Sequence, residues 1–173
     1  MSSVFVSRAR DSFGDTLERL GLEDEAGTPT PEELGRRAAL LVGAEQAWEH
    51  HIGLLLTAAQ AANLLGVGTR QAVHDRARRG SLLALHRGSR QVRFPSFQLV
   101  ERPGATTRAV LPELGRVMRI FAEAGVDEWT VASWFCTASP LLEAMTPAAW
   151  LAEGRDPEHA FEAARRSAAH LGQ

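Results

Sequence analysis

The chain has 173 residues, 45% hydrophobic and 23% charged, with 19 basic residues (all arginine) against 21 acidic ones, a net charge of −2. These values are typical of a globular protein with one or two compact domains. The single cysteine, Cys136, excludes an internal disulfide framework. No apolar stretch reaches the roughly eighteen residues of a membrane span, and the first residues lack the apolar core of a signal peptide. We therefore expect a soluble, cytoplasmic protein.

Residues 1–28 are predicted to form an N-terminal arm. Within it, residues 12–21 can form one short helix, which the acidic run at 23–25 and the Gly-Thr-Pro segment at 27–29 would end. A partly ordered terminus and a segment that docks on a second subunit through its apolar residues are both open.

The next segment predicts a helix from Thr30-Pro31 to about His51. Threonine caps helices, proline is favoured at the first helical position, and glutamates are favoured in the first turn. The apolar residues recur at helical spacing, so this helix should pack on the following elements or pair with a partner chain. His50 and His51 are adjacent and point to different faces of the helix. They cannot bind one metal ion together, and no metal site is predicted.

Two short helices joined by a tight turn are predicted between Thr57 and Gly80. Thr57 and Gln60 form a capping box, because the threonine hydroxyl can accept from the Gln60 amide while the glutamine side chain reaches back to the Thr57 amide. Gly66 ends the first helix, since a left-handed backbone is free of strain only without a Cβ. The second helix is predicted to start at residues 68–69 and to stop at Gly80.

The spacing of Ala62, Gly66 and Val67 resembles the helix-turn-helix signature of bacterial DNA-binding proteins. One spacing differs. The inward-facing valine usually follows the glycine by six residues, whereas Val73 follows Gly66 by seven. Either the turn is one residue longer than usual or Ala72 fills the inner position. The sequence therefore allows two registers of the second helix that differ by one residue.

A basic β-hairpin is predicted after these helices. Residues 82–85 and 91–94 are strand-like, and the glycine-containing segment 86–90 joins them. This arrangement is similar to the wing of excisionase- and MerR-type winged helices. Residues 56–100 hold seven arginines and one acidic residue, whereas residues 1–55 hold five arginines and ten acids and residues 101–173 hold seven and ten. One concentrated basic block in a nearly neutral protein favours phosphate binding.

We therefore predict that this part of the chain binds double-stranded operator DNA. The second helix would enter the major groove, while the hairpin arginines contact phosphates or the minor groove. A homodimer on a palindromic operator is expected, because one small DNA-binding domain alone has little affinity for its site. The plainer interpretation is a small helical core with a solvated arginine face. The predicted DNA contacts are Thr69, Arg70, Gln71, His74, Arg78, Arg79, Arg87, Arg90 and Arg93.

The C-terminal part predicts helices that each have their own start and stop signals. The Pro/Gly/Thr segment at residues 101–107 is the best candidate for a domain boundary, which we place after residue 105. Beyond it, Gly125 ends a helix with an apolar stripe, Asp127 caps the next, Thr146-Pro147 starts a third, and residues 156–158 start the last.

Residues 134–154 resemble the toxin-binding domain of Xre/MbcA/ParS-type antitoxins in residue type and spacing, and the similarity extends over residues 110–173. The order, a DNA-binding module followed by this domain, also matches that family. Four positions depart from the family pattern: Phe135, Ala138, Ser139 and Ala144 stand where leucine, proline, asparagine and glycine are usual. The residues that match in register are Trp134, Thr137, Leu142, Pro147, Leu151 and Gly154.

The resemblance implies a type II antitoxin whose partner is a RES-domain toxin, an NAD-consuming enzyme. In such pairs the C-terminal helices cover the entrance of the toxin's active site, and the DNA-binding half represses the shared operon. We expect Trp134 and Leu151 to hold the domain together, with toxin contacts on the last helix and tail. The toxin-facing residues that the resemblance implies are Phe161, Ala164, Arg165, Ala168, His170 and Leu171.

The sequence thus predicts a mainly α protein: the arm at 1–28, a winged helix-turn-helix with a small β-hairpin at 29–105, and a small helical bundle at 106–173. No catalytic residue and no cofactor are predicted, because the serines, His159 and Cys136 form no known nucleophile motif and Gly66-Val67-Gly68 lacks the spacing and the lysine of a phosphate loop. The alternatives to an antitoxin are a stand-alone MerR/excisionase-like transcription regulator and an adaptor that no longer binds DNA.

Overall fold

The computed structural model describes residues 3–19, 35, 47–87 and 91–171. These residues are mainly helical, with small antiparallel sheets, as the sequence predicts. The chain divides into two units, residues 1–42 and residues 43–173. None of the described helices is both long and apolar enough to cross a membrane.

In the first unit the structure describes helix α1, Ser3–Arg19. It begins nine residues earlier than the short helix predicted from residue 12. No proline interrupts this stretch, and a single interior glycine such as Gly14 destabilises a helix by only about 1 kcal/mol. The helix predicted from Thr30 lies largely outside the described residues. Its last part, residues 47–52, is helical and is called α2 here.

The second unit continues with strand β1 (Leu55–Leu56), helices α3 (Ala58–Leu65) and α4 (Arg70–Arg78), and strands β2 (Leu85–Arg87) and β3 (Gln91–Pro95). The three strands form an antiparallel sheet in the order β1-β3-β2. Leu56 is opposite Phe94, and Leu85 is opposite Arg93. The hairpin β2–β3 is therefore present, but its first strand starts at Leu85 instead of residue 82.

After a 3₁₀ turn at Ser96–Gln98, strand β4 (Leu99–Val100) pairs with β5 (Ala109–Val110). Four helices follow: α5 (Leu114–Glu123), α6 (Glu128–Cys136), α7 (Pro147–Ala152) and α8 (Pro157–Leu171). A second 3₁₀ turn, Pro140–Leu142, lies between α6 and α7.

The predicted starts and stops of these helices are confirmed. Asp127 caps α6 by accepting from the amides of Trp129 and Thr130, and Thr146 caps α7 by accepting from the Ala149 amide. Gly125, after α5, has the left-handed backbone that ends a helix. These signals act within three or four residues, so the sequence alone is enough to place them.

The larger hydrophobic core joins residues from both sides of position 105. Ile52, Leu55 and Leu85 belong to the same buried cluster as Phe121 and Phe135 of the C-terminal helices. A smaller buried cluster lies beneath α3, α4 and β3. The boundary predicted near residue 105 therefore does not coincide with a gap in the core, because the sheet and the C-terminal helices bury one another's apolar faces.

Candidate nucleic-acid interface

The turn between α3 and α4 is built by local hydrogen bonds. The Gln60 amide donates to Thr57 Oγ1 at 3.2 Å and the Thr57 amide donates to Gln60 Oε1 at 2.8 Å, which confirms the capping box. Gly66 ends α3 with φ 66°. A Cβ on Gly66 would lie 2.6 Å from the Thr107 methyl carbon, so both the backbone and the packing require glycine here.

The register of α4 follows from burial. Val73 is fully buried in the cluster beneath α3, whereas Ala72 is half-buried at the surface. Val73 is therefore the inward-facing residue, and the turn is one residue longer than in the usual signature. Thr69 caps α4, because its Oγ1 accepts from the Ala72 amide at 3.1 Å.

Four of the predicted DNA contacts on α4 and at its C-terminal cap are exposed to solvent: Arg70, Gln71, Arg78 and Arg79. His74 differs from them. It is half-buried, and its ring lies edge-on to Phe94 of β3 with 5.8 Å between ring centroids. We therefore assign His74 to the floor between α4 and the sheet, while the arginines project from the helix.

Asp75 links two of these exposed side chains. Its Oδ1 accepts from Gln71 Nε2 at 2.9 Å and forms an ion pair with Arg78. The hydrogen bond from Gln71, followed by that from Arg78, lowers the pKa of Asp75, so the carboxylate is ionised at neutral pH. Asp75 is the one acidic residue in the basic block of residues 56–100.

The hairpin supplies a second cationic element. Arg93 is half-buried and lies along β3, where its guanidinium donates to the Val92 carbonyl and to Gln91 Oε1, both at 3.3 Å. Arg87 is the last residue of β2 and is opposite Gln91. The side chain of Arg87 and all of Arg90 lie outside the described residues.

A cleft of about 470 Å³ brings the helix and the hairpin together. Arg70 of α4 and Arg93 of β3 line it, with His74 between them and the first residues of α3 at one end. The predicted contacts Arg70, His74 and Arg93 thus converge on one concave surface. Among the described residues that line it, none is acidic.

The hairpin is fixed to the C-terminal helices. Trp129 Nε1 donates to the His86 carbonyl at 3.2 Å, and His86 Nδ1 lies 3.1 Å from Glu128 Oε1. The end of α4 is fixed as well, since a Cβ on Gly115 of α5 would lie 2.9 Å from the carbonyl oxygen of Gly80. Contacts with α5 and α6 therefore fix the positions of α4 and of the hairpin.

The predicted toxin-facing residues are divided by the structure. Phe161, Ala164 and Ala168 are buried in the larger core, so they cannot face a partner in this conformation, and that part of the prediction is wrong. They form the face of α8 that packs against the other C-terminal helices. The guanidinium of Arg116 on α5 covers the Phe161 ring, 4.0 Å from the ring centroid.

The other three predicted toxin-facing residues lie on the opposite face or at the end of α8. Arg165, His170 and Leu171 are all exposed, and half of the Leu171 surface is open to solvent. Arg165 is close to two acids of its own helix, 3.4 Å from Glu162 and 3.9 Å from Glu158.

The residues that carry the family resemblance lie at element boundaries and in the core. Trp134 Nε1 donates to Ser167 Oγ at 3.0 Å, and Leu151 is buried, so both have packing roles. Gly154 follows α7 with φ 70°. Ala144, which stands where the family has glycine, has φ 61°, a conformation that an L-residue adopts only with strain.

Burial raises the pKa of the Cys136 thiol to about 11. At neutral pH this residue is a protonated thiol, which is a weak nucleophile.

The structure of Rv2175c, solved by NMR, matches with a TM-score of 0.52 and 20% sequence identity, over 66% of this chain and 81% of Rv2175c. At this identity the likeness shows a shared fold. No family model matches the sequence, and no curated protein matches it.

Proposed function

We propose that the chain binds double-stranded DNA as a winged helix-turn-helix protein and acts as a transcription regulator. The observation that carries this proposal is the cleft in which Arg70 of α4 and Arg93 of the hairpin converge without a carboxylate among its described lining residues. Two cationic elements on either side of a concave surface suit the phosphate backbone of a duplex, which has to pass between a helix in the major groove and a wing.

In this arrangement α4 enters the major groove with its exposed face. Arg70 and Gln71 in its first turn reach base edges, since guanidinium and amide groups form bidentate contacts with guanine and adenine. Arg78 exchanges its ion pair with Asp75 for a phosphate. Arg93 contacts the DNA backbone on the hairpin side. A homodimer places two such DNA-binding domains on a palindromic site.

The assignment of the DNA-contacting residues is tested with two double variants. One removes two arginines from the proposed interface, and the other removes two arginines from α8. Arg70→Ala with Arg78→Ala removes specific binding to DNA from the region upstream of the gene, measured by fluorescence anisotropy. Arg165→Ala with Arg166→Ala removes the same charge from α8 and leaves the affinity within about twofold, because charges outside the interface are screened. Equal losses in the two double variants would show that the assignment to α4 is wrong.

We propose further that the C-terminal helices neutralise a RES-domain toxin, so that the protein is the antitoxin of a type II pair and represses its own operon. The position of Ala144 supports this proposal. Its left-handed backbone occurs where the resembled antitoxins have glycine, which indicates that the turn before α7 has the shape their pattern requires. The contacts available to a toxin are Arg165, His170 and Leu171, which are exposed on α8.

Co-expression with the neighbouring reading frame tests the antitoxin proposal. An antitoxin co-purifies with the neighbour's product and restores growth that this product inhibits. Leu171→Asp weakens that complex by placing a charge in an apolar contact, whereas Ala152→Asp, on exposed surface at the end of α7, leaves it unchanged. A neighbour that is harmless alone and never co-elutes favours the stand-alone regulator instead.

A further inference from the structure

The space between α4 and the hairpin has two chemically different ends. The cationic cleft lies beside the first part of α4, and a second cavity of about 420 Å³ lies beside its last part. The two share His74 and Val92 as lining residues, so they adjoin at these two side chains, and together they are called the groove below. Both ends therefore lie along the proposed DNA-contacting helix.

The second cavity is mainly apolar. Its walls are formed by side chains from α4, the segment before the hairpin, β3 and α5: Ala77, Leu82, Leu83, Ala84, Val92 and Met118. Ala77, Ala84, Val92 and Met118 are only half-buried, so their apolar surface is in contact with water. Contact with apolar walls does not stabilise a charged phosphate, so phosphate binding does not explain this cavity.

Size and lining suit a small molecule. Ligand pockets occupy about 300–1,000 Å³ and combine apolar walls with a few polar groups that fix the orientation of the ligand. Here the polar groups at the rim are Gln71, His74, Arg78 and His86. Gln71 and Arg78 are bonded to Asp75, and His86 Nδ1 lies 3.1 Å from Glu128 Oε1, so the cationic cleft has to supply the charge for an anion. The adjoining cationic cleft adds Arg70 and Arg93, and its described lining residues include no carboxylate. Charge complementarity therefore favours an occupant with an apolar body and an anionic head.

We propose that this groove binds a small amphipathic monocarboxylate. Its apolar body lies between Ala84 and Met118, and its carboxylate points past His74 toward the arginines of the cationic cleft. One consequence rests on the proposed function. The carboxylate lies beside Arg93, where the proposed DNA complex has a phosphate, so the ligand and the duplex compete. The protein is then a ligand-responsive regulator, released from DNA by the carboxylate.

Direct titration tests the site without DNA. Decanoate, below its micelle concentration, is titrated into the full chain by isothermal calorimetry, with decanol and inorganic phosphate as probes that lack the charge or the apolar body. One decanoate binds per chain, and each of the other probes binds at least about tenfold more weakly, a difference of about 1.4 kcal/mol. No decanoate binding, or equal binding of decanol, overturns the proposal.

Two variants locate the site. Ala84→Phe fills the groove and Met118→Gln makes one wall polar. Each weakens decanoate binding by at least about tenfold. Ala152→Phe, the same change of size on exposed surface, has no effect. Circular dichroism melting selects the variants that fold, and unchanged decanoate affinity in either folded groove variant would contradict the assignment.

Competition is measured last. Decanoate raises the apparent Kd of wild-type protein for duplex DNA in anisotropy, and this rise is lost in a folded groove variant whose DNA affinity without decanoate is unchanged. If decanoate binds but never displaces DNA, the competition is refuted. If the wild type fails to bind any duplex even without decanoate, the proposed function fails, while the calorimetric result still decides the ligand site.

Discussion

Gln98 offers a quantitative test of how the hairpin is positioned. Its side chain is fully buried, and both ends of its amide are bonded to one residue: Gln98 Nε2 donates to the Leu83 carbonyl at 2.9 Å, and the Leu83 amide donates to Gln98 Oε1 at 2.7 Å. Leu83 therefore cannot pair in a sheet, which explains why strand β2 starts at Leu85. A side chain in the core takes over the role of a neighbouring strand.

Gln98→Met keeps the volume and removes both hydrogen bonds. Two backbone groups of Leu83 lose their partners in the core, and each loss destabilises the fold by about 1–3 kcal/mol. Burying an apolar side chain in place of an amide offsets part of this loss. We expect the free energy of unfolding to fall by about 3 kcal/mol. The slope of that free energy against urea concentration should not change.

The assay is urea unfolding followed by tryptophan fluorescence, since all four tryptophans lie in residues 43–173. Gln71→Met is the matched control. It removes one hydrogen bond at the exposed surface and lowers stability by no more than about 0.5 kcal/mol. A decrease below about 1 kcal/mol for Gln98→Met would falsify the reasoning, because the two Leu83 groups must then find other partners easily.

Three further predictions concern charge, pH and backbone strain. Asp75→Asn removes a carboxylate from the helix proposed to contact DNA, and Arg78 then no longer has to give up an ion pair to reach a phosphate, so affinity for any duplex rises about two- to fivefold, measured by anisotropy; an unchanged or lower affinity would contradict this. Hydrogen bonds from Thr130 and the α6 amides lower the pKa of Asp127, so its stabilisation is present above the ordinary aspartate pKa and is lost as the pH falls through the lowered one. Asp127→Ala should therefore reduce unfolding free energy by about 1 kcal/mol at pH 7, and a difference that persists below pH 2 would oppose the interpretation. Ala144→Gly relieves the strained backbone and raises stability by up to about 1 kcal/mol, whereas a loss of stability in thermal melting would argue against strain.

The sequence predicts the local features well because their causes are local. Thr57, Gly66, Asp127 and Thr146 start or end helices through contacts with residues three or four positions away, and each does so in the structure. The register of α4 needed the tertiary structure. Val73 and Ala72 both fit the helical pattern, and only packing beneath α3 decides between them.

Other features depend on distant parts of the chain. Strand β1 has two residues, too few for any periodic signal, and it exists because β3 provides a partner. On α8, Phe161, Ala164 and Ala168 recur at the helical spacing that indicates a core-facing stripe. The family resemblance implies a partner-facing role for these residues, whereas their helical spacing indicates the core, and all three are buried.

The salt dependence of DNA affinity tests the central claim most directly. The full chain is titrated onto a duplex from the upstream region at several salt concentrations, and the logarithm of the association constant is plotted against that of the salt concentration. If α4 and the hairpin hold the phosphate backbone, the slope is about −0.9 for each phosphate contacted, and several contacts give a steep line. Arg78→Ala with Arg93→Ala, which removes the two arginines assigned to phosphates, flattens that line by about two contacts. A duplex that does not bind even at low salt, or a slope that this double variant leaves unchanged, would contradict the account.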